Sequence, residues 1–159
     1  MKRSTPPFLK AGFAAGCIWL GAMLAGCTMP NLSSPNLTVD AATPDRIVGQ
    51  EQFRNGNFGL AEEAFRRAVE RDPADVDAWL GLGASRDRLR RFDLADRDYA
   101  QVEKLTGRTA ALLNNRGYSH MLRGNFNAAR KDFADALILA PGHPDIEANL
   151  AAATSGRLP

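Results

Sequence analysis

Residues 110–143 read AALLNNRGYSHMLRGNFNAARKDFADALILAPGH. The landmarks of this stretch recur upstream at one fixed interval, equal to its own length. Gly117 follows Gly83 and Gly49, Phe126 follows Phe92 and Phe58, and Ala129 follows Ala95 and Ala61. Phe133 follows Tyr99 and Phe65, and Pro141 answers Pro73 two periods earlier. A 34-residue period is the length of a helix–turn–helix unit that cannot bury its own apolar face. Such units must stack on one another, and the stack presents an extended surface to other proteins. The period therefore points to binding rather than catalysis.

Working outward, each copy resolves into two helices. Thr43 and Pro44 open the first, as N-cap and first helical residue, and Asn55-Gly56 breaks it after Arg54. A second spans Phe58 to Arg71 and stops at Asp72-Pro73, because the residue before proline avoids the α region. Asp75 caps a third that reaches Arg90, and a fourth covers Leu94 to Lys104. The fifth and sixth span Thr109–Leu122 and Asn127–Leu139, parted by Gly124-Asn125. Pro141-Gly142-His143-Pro144 stops the sixth, and a seventh covers Asp145 to Ala153. It keeps the register, since Ala151 falls one period after Gly117. It reads as the first helix of a fourth unit, capping the stack with Ala148, Leu150 and Ala151. The fold class is all-α, an α-solenoid with no strands.

Gly49, Gly83 and Gly117 lie inside first helices, where glycine costs about 1 kcal/mol relative to alanine. Close approach of the partner helix at Ala61, Ala95 and Ala129 would offset that cost. Phe65, Tyr99 and Phe133 lie four residues beyond those alanines on the same face, the seam of the stack.

These residues resemble the tetratricopeptide repeat. Trp79-Leu82-Gly83-Phe92-Ala95-Tyr99 fits its pattern. So does Leu113-Gly117-Gly124-Phe126-Ala129-Phe133-Ala136-Pro141. The likeness covers about residues 42 to 153, as repeats near 42–75, 76–109 and 110–143 with a capping helix at 144–154 and a domain ending near 155. There are departures. Asp45 stands where a large apolar residue belongs, Arg90 at a turn glycine, and Gly107 at a closing proline. Gln52, Arg86 and His120 replace an aromatic. The geometry between the second and third repeats is the least well specified.

The resemblance implies that first helices line a concave groove for a segment of another protein. Carried over by position, the groove takes Arg46, Gln50, Phe53 and Arg54 from the first helix. It takes Leu80, Ala84, Asp87 and Arg88 from the third, and Asn114, Tyr118, Met121 and Leu122 from the fifth. Asn149 closes its end. Leu80 and Ala84 stand where some members carry the Lys and Asn that clamp a C-terminal carboxylate, so no preference for a chain terminus is expected.

The start of the chain reads differently. Lys2, Arg3 and Lys10 precede an apolar run from Ala11 to Met23, a signal-peptide pattern too short for a comfortable membrane span of about 20 residues. Leu24-Ala25-Gly26-Cys27 then resembles a bacterial lipobox. Residues 1–26 are thus expected to be removed and Cys27 to carry lipid. By the same resemblance, Thr28 rather than Asp after that cysteine implies an outer-membrane lipoprotein facing the periplasm. Residues 27–42 read as a polar tether, whose fifteen residues from Thr28 reach about 50 Å at most.

The formal net charge is +2 over 159 residues, and removing the three early cations turns it to −1. The basic balance thus belongs to the leader and argues against nucleic-acid binding. Arg86, Arg88, Arg90 and Arg91 interleave with Asp87, Asp93, Asp96 and Asp98, the pattern of a solvated helix face. His120 and His143 lie apart, with no metal-ligand spacing, and Ser119 and His120 point about 100° apart on a helix. No enzyme, cofactor, metal or small-molecule substrate is expected.

Asn114-Asn115-Arg116-Gly117-Tyr118-Ser119, with Gly124, Ala129, Ala136-Leu137, Pro141 and Asn149-Leu150-Ala151, is similar to the TadD-type lipoproteins of Flp (tight-adherence) pilus systems. That resemblance implies a scaffold assisting pilus or secretion-apparatus assembly, with the secretin as a partner. An adaptor for peptidoglycan enzymes, or a general envelope-biogenesis lipoprotein, is the alternative.

Overall fold

The computed structural model describes residues 43–157. The signal peptide, Cys27 and the whole tether lie outside them. Seven helices follow in order: α1 Thr43–Arg54, α2 Phe58–Arg71, α3 Val76–Arg88, α4 Phe92–Thr106, α5 Ala110–Leu122, α6 Phe126–Leu139 and α7 Pro144–Thr154. Among the described residues there is no strand. No helix among them is long and apolar enough to cross a membrane.

Local chemistry explains the helix starts. The Asp75 carboxylate accepts from the Ala78 amide at 2.9 Å, and Thr109 Oγ1 accepts from the Leu112 amide at 3.2 Å. Each satisfies an orphan donor of the first turn. The turns inside the three repeats are equivalent. Gly56, Arg90 and Gly124 sit one period apart, with φ of 76°, 60° and 77°. Their amides donate to Phe53, Asp87 and Met121 carbonyls at 3.0, 2.9 and 2.8 Å. The next amide in each turn reaches back to Gln52, Arg86 or His120. This is the left-handed helix stop that favours glycine.

Arg90 therefore ends α3 two residues earlier than its sequence suggests. α4 is longer than expected by two residues at each end. It starts at Phe92, in register with Phe58 and Phe126, and Thr106 Oγ1 bonds the Val102 carbonyl at 3.0 Å.

Helices pair as α1–α2, α3–α4 and α5–α6, with α2 on α3 and α6 on α7. The first helices α1, α3, α5 and α7 also touch in series, whereas α2, α4 and α6 do not touch each other. The inner row is thus close-set and the outer row splayed, which makes the inner face concave. Ala61, Ala95, Ala129, Phe65, Tyr99 and Phe133 are all at most 2 % exposed.

The three row glycines do face a close neighbour, but it is the ring rather than the alanine. A Cβ on Gly49, Gly83 or Gly117 would lie 2.8, 2.7 and 2.7 Å from the rings of Phe65, Tyr99 and Phe133. Each glycine leaves room for the aromatic of its own repeat.

α4 meets α5 over a smaller surface than α2 meets α3. Gly107 closes the second repeat, where Pro73 and Pro141 close the others. Polar groups bridge this joint. Arg123 Nη2 lies 2.5 Å from Asp96, and Arg116 Nη1 lies 3.6 Å from Glu103.

The cap works through a different face from the expected one. Ile146 and Ala153 are buried and Leu150 is half-buried, while Ala148 and Ala151 are exposed. Ala151 keeps the register of Gly117, but no described helix follows to bring a ring against it.

Candidate functional site

The inner helices carry two adjoining cavities. One, of about 540 Å³, is lined by Gln50, Phe53 and Arg54 of α1, Asp77, Leu80, Gly81 and Ala84 of α3, Asn115 of α5 and the Phe65 ring. The other, of about 290 Å³, is lined by Phe53, Ala84, Asp87, Arg88, Tyr99, Asn114, Asn115 and Tyr118. Phe53, Ala84 and Asn115 belong to both, so the two form one groove along the concave face. Phe53 packs edge-on against Phe58, with ring centroids 5.2 Å apart, and the Arg88 guanidinium lies 4.2 Å above Phe58.

Of the residues placed in the groove by position, Gln50, Phe53, Arg54, Leu80, Ala84, Arg88, Asn114 and Tyr118 line it. Arg46 does not. Its Nη1 reaches Asp75 at 3.3 Å and Asp77 at 3.6 Å, tying α1 to the start of α3. Asn149 Nδ2 donates to Asn114 Oδ1 at 2.9 Å and so holds α7 against α5. Met121 is no groove residue: it is 1 % exposed in the core with Phe133 and Ile146. It lies three residues beyond Tyr118, and on α5 that step turns the side chain inward. Leu122 is half-buried and lines neither cavity. Asp87 reaches the groove only as a buried floor, 2 % exposed.

Gly81 and Asn115 were not anticipated as lining. They stand one period apart, at equivalent positions of α3 and α5. Position 81 falls outside the repeat's glycine pattern, so its signal lay in the unusual Gly81-Leu82-Gly83 run alone.

Polar side chains stand where the repeat pattern expects an aromatic or a large apolar group, and each finds a partner. Asp45 is buried against Arg67 at 3.0 Å and against Arg71. Arg86 Nη1 donates to both Asp98 oxygens at 2.6 and 2.8 Å, and its Nε donates to Glu62 at 3.1 Å. Burial nevertheless pushes the Asp98 carboxyl up to about 6, against the pull of Arg86. His120 Nε2 lies 3.6 Å from Asp132, and burial lowers its pKa. Arg86 is thus no part of a solvated basic face. Arg90 lies over Phe92 at 5.3 Å, and Arg91 pairs with Glu62 at 2.5 Å. Among the described residues no three His, Cys, Asp or Glu converge as a metal site.

Comparison with known proteins bears on this arrangement. Two family models, both described as tetratricopeptide repeat, match residues 49–95 and 110–143, together just over half of the chain. The chain belongs to the tetratricopeptide-repeat family. A curated relative, Protein bimA of Emericella nidulans, is 27% identical over 67 residues, which are 42% of this chain and 8% of that protein. The chain thus spans a small fraction of that relative's length.

Among solved structures, the first TPR domain of human RPAP3 superposes with a TM-score of 0.65 at 19% identity, over 72% of this chain and 91% of that one. The Yersinia enterocolitica type III secretion chaperone SycD, in complex with a peptide of the translocator YopD, gives 0.60 at 19% identity, over 76% and 97%. PcrH in complex with the chaperone binding region of PopD gives 0.60 at 25% identity, over 76% and 90%. These likenesses show the solenoid fold. Tetratricopeptide-repeat proteins mediate protein–protein interactions.

Proposed function

We propose that this chain is a lipid-anchored, non-enzymatic scaffold that holds protein partners at the periplasmic face of the outer membrane and assists assembly of a pilus or secretion apparatus. The observation that carries the reading is the groove. Phe53, Leu80, Ala84 and Tyr118 supply apolar surface, and Gln50, Asn114 and Asn115 supply hydrogen-bonding groups beside it. That mixture suits an extended or helical protein segment. SycD holds a peptide of its translocator and PcrH the chaperone binding region of PopD, which supports a similar use of the fold here. The anchor rests on Leu24-Ala25-Gly26-Cys27, and the pilus assignment on the TadD-like pattern of the third repeat.

Cys27→Ser tests the anchor: it is expected to abolish lipid labelling and release the protein from membranes. Affinity capture from envelope extract tests the client. Recovery of secretin or pilus subunits is the expected result. Recovery of murein enzymes, or unchanged piliation after deletion, overturns the assembly role.

A further inference from the structure

Five aspartates are buried among the described residues: Asp45, Asp75, Asp87, Asp98 and Asp132. Four hold a cation closely. Asp45 has Arg67 at 3.0 Å, Asp75 has Arg46 at 3.3 Å, Asp98 has Arg86 at 2.6 Å and Asp132 has Arg116 at 2.8 Å. Asp87 differs. Its oxygens accept from Ser119 Oγ at 2.7 Å and Tyr99 Oη at 2.8 Å, both neutral hydroxyls. Its nearest cation, Arg123 Nη2, stands 4.0 Å away and is drawn to Asp96 at 2.5 Å. Burial raises the Asp87 pKa, and the two hydroxyls and Arg123 only partly oppose it. A buried carboxylate without a close cation is costly unless something completes it.

Asp87 is also the one buried aspartate among these that lines the groove, in the smaller cavity. The walls there are Phe53, Ala84 and Tyr118, apolar surface along which an alkyl stem can lie. Asn115 lines the same cavity. Its Nδ2 donates to the Ala111 carbonyl at 2.9 Å, which leaves Oδ1 without a partner among the described residues. One like charge lines the cavity, Arg88, and its guanidinium is drawn onto the Phe58 ring at 4.2 Å.

We propose that this cavity receives a cationic side chain, lysine or arginine, of the bound protein segment, with Asp87 as its counter-ion, Asn115 Oδ1 as a second acceptor, and Phe53 and Tyr118 flanking the stem. The proposal rests on the reading of the concave face as a protein-binding groove and adds the chemistry of one residue of the client. It also accounts for a carboxylate here. As a joint between α3, α4 and α5, an apolar side chain of similar volume would serve at least as well.

The test uses the full chain in detergent and three blocked peptides, Ala-Leu-Lys-Leu-Ala, its Nε-acetyl-lysine form and its glutamate form. Binding is followed by NMR shifts at the Asn115 and Tyr118 amides. The lysine peptide is expected to bind about tenfold or more tightly than either variant. Asp87→Asn should bring the lysine and acetyl-lysine affinities together, while Asp93→Asn, exposed on the outer helix α4 and outside the groove, leaves their ratio unchanged. If Asp87→Asn does not fold, the comparison of peptides on the unaltered chain decides alone. Equal binding of the lysine and acetyl-lysine peptides overturns the proposal and leaves the groove reading standing. No shift with any of the three overturns both.

Discussion

Gly81 of α3 lies directly against the ring of Phe65 on α2. A Cβ built there would stand 2.5 Å from Cε1 and 2.7 Å from Cε2, while Gly49 of α1 approaches the same ring from its own repeat. Phe65 is therefore wedged between glycines of two successive repeats and closes their joint from inside. Gly81→Ala forces that ring to move within a packed core, at a cost of about 1–3 kcal/mol. Gly59, on the exposed side of α2, has nothing within 4 Å of its would-be Cβ. Gly59→Ala should instead stabilise by about 0.5–1 kcal/mol through helix propensity. Urea unfolding of the two variants beside the parent checks both signs.

Arg90 occupies the left-handed turn position that Gly56 and Gly124 fill in the flanking repeats, with φ of 60°. A β-carbon in that region costs about 1–2 kcal/mol. Part of this is recovered as the guanidinium lies over Phe92. Arg90→Gly is expected to raise stability by about 1 kcal/mol, read as a higher thermal midpoint. An unchanged or lower midpoint would mean that the contact with Phe92 outweighs the backbone strain.

The Asp98 carboxyl is raised from 3.8 to about 6, chiefly by burial. Between those values the folded chain holds a proton that the unfolded chain has released. Its contribution to stability is therefore full below about pH 4 and is lost as pH rises through about 6. Asp98→Asn removes this proton uptake. Stability measured from about pH 4 to about pH 7 should fall more steeply for the parent than for the variant over that window. Parallel profiles would show that Arg86 keeps the carboxylate ionised throughout.

Seven helices and their pairing were legible because each repeat states its turns and its seam in glycine, proline and aromatic residues at one interval. Boundaries shifted where a residue acts against its type: Arg90 stops α3 as a glycine would. The groove was legible by position for Gln50, Phe53, Leu80, Ala84 and Tyr118, which follow the inward face of first helices. Met121 and Asp87 lie on the same helices but one turn further on. There α3 and α5 press on α4 and α6, and the repeat period does not distinguish lining from floor. The ion pairs of Arg86, Asp98, Asp132 and Asp45 join residues on different helices. Nothing local announces such partners, so the polar departures from the repeat pattern gained a meaning only in three dimensions.

The central claim is that the concave face holds a protein. Ala84 lines both cavities, whereas Ala100 is exposed on the outer helix α4. A photo-crosslinking amino acid placed at one or the other position in the full chain, activated in intact cells, reads this directly. Discrete crosslinked protein partners from position 84, and none from position 100, are the predicted result. Identical patterns from the two positions, or no adduct from position 84, would contradict the account.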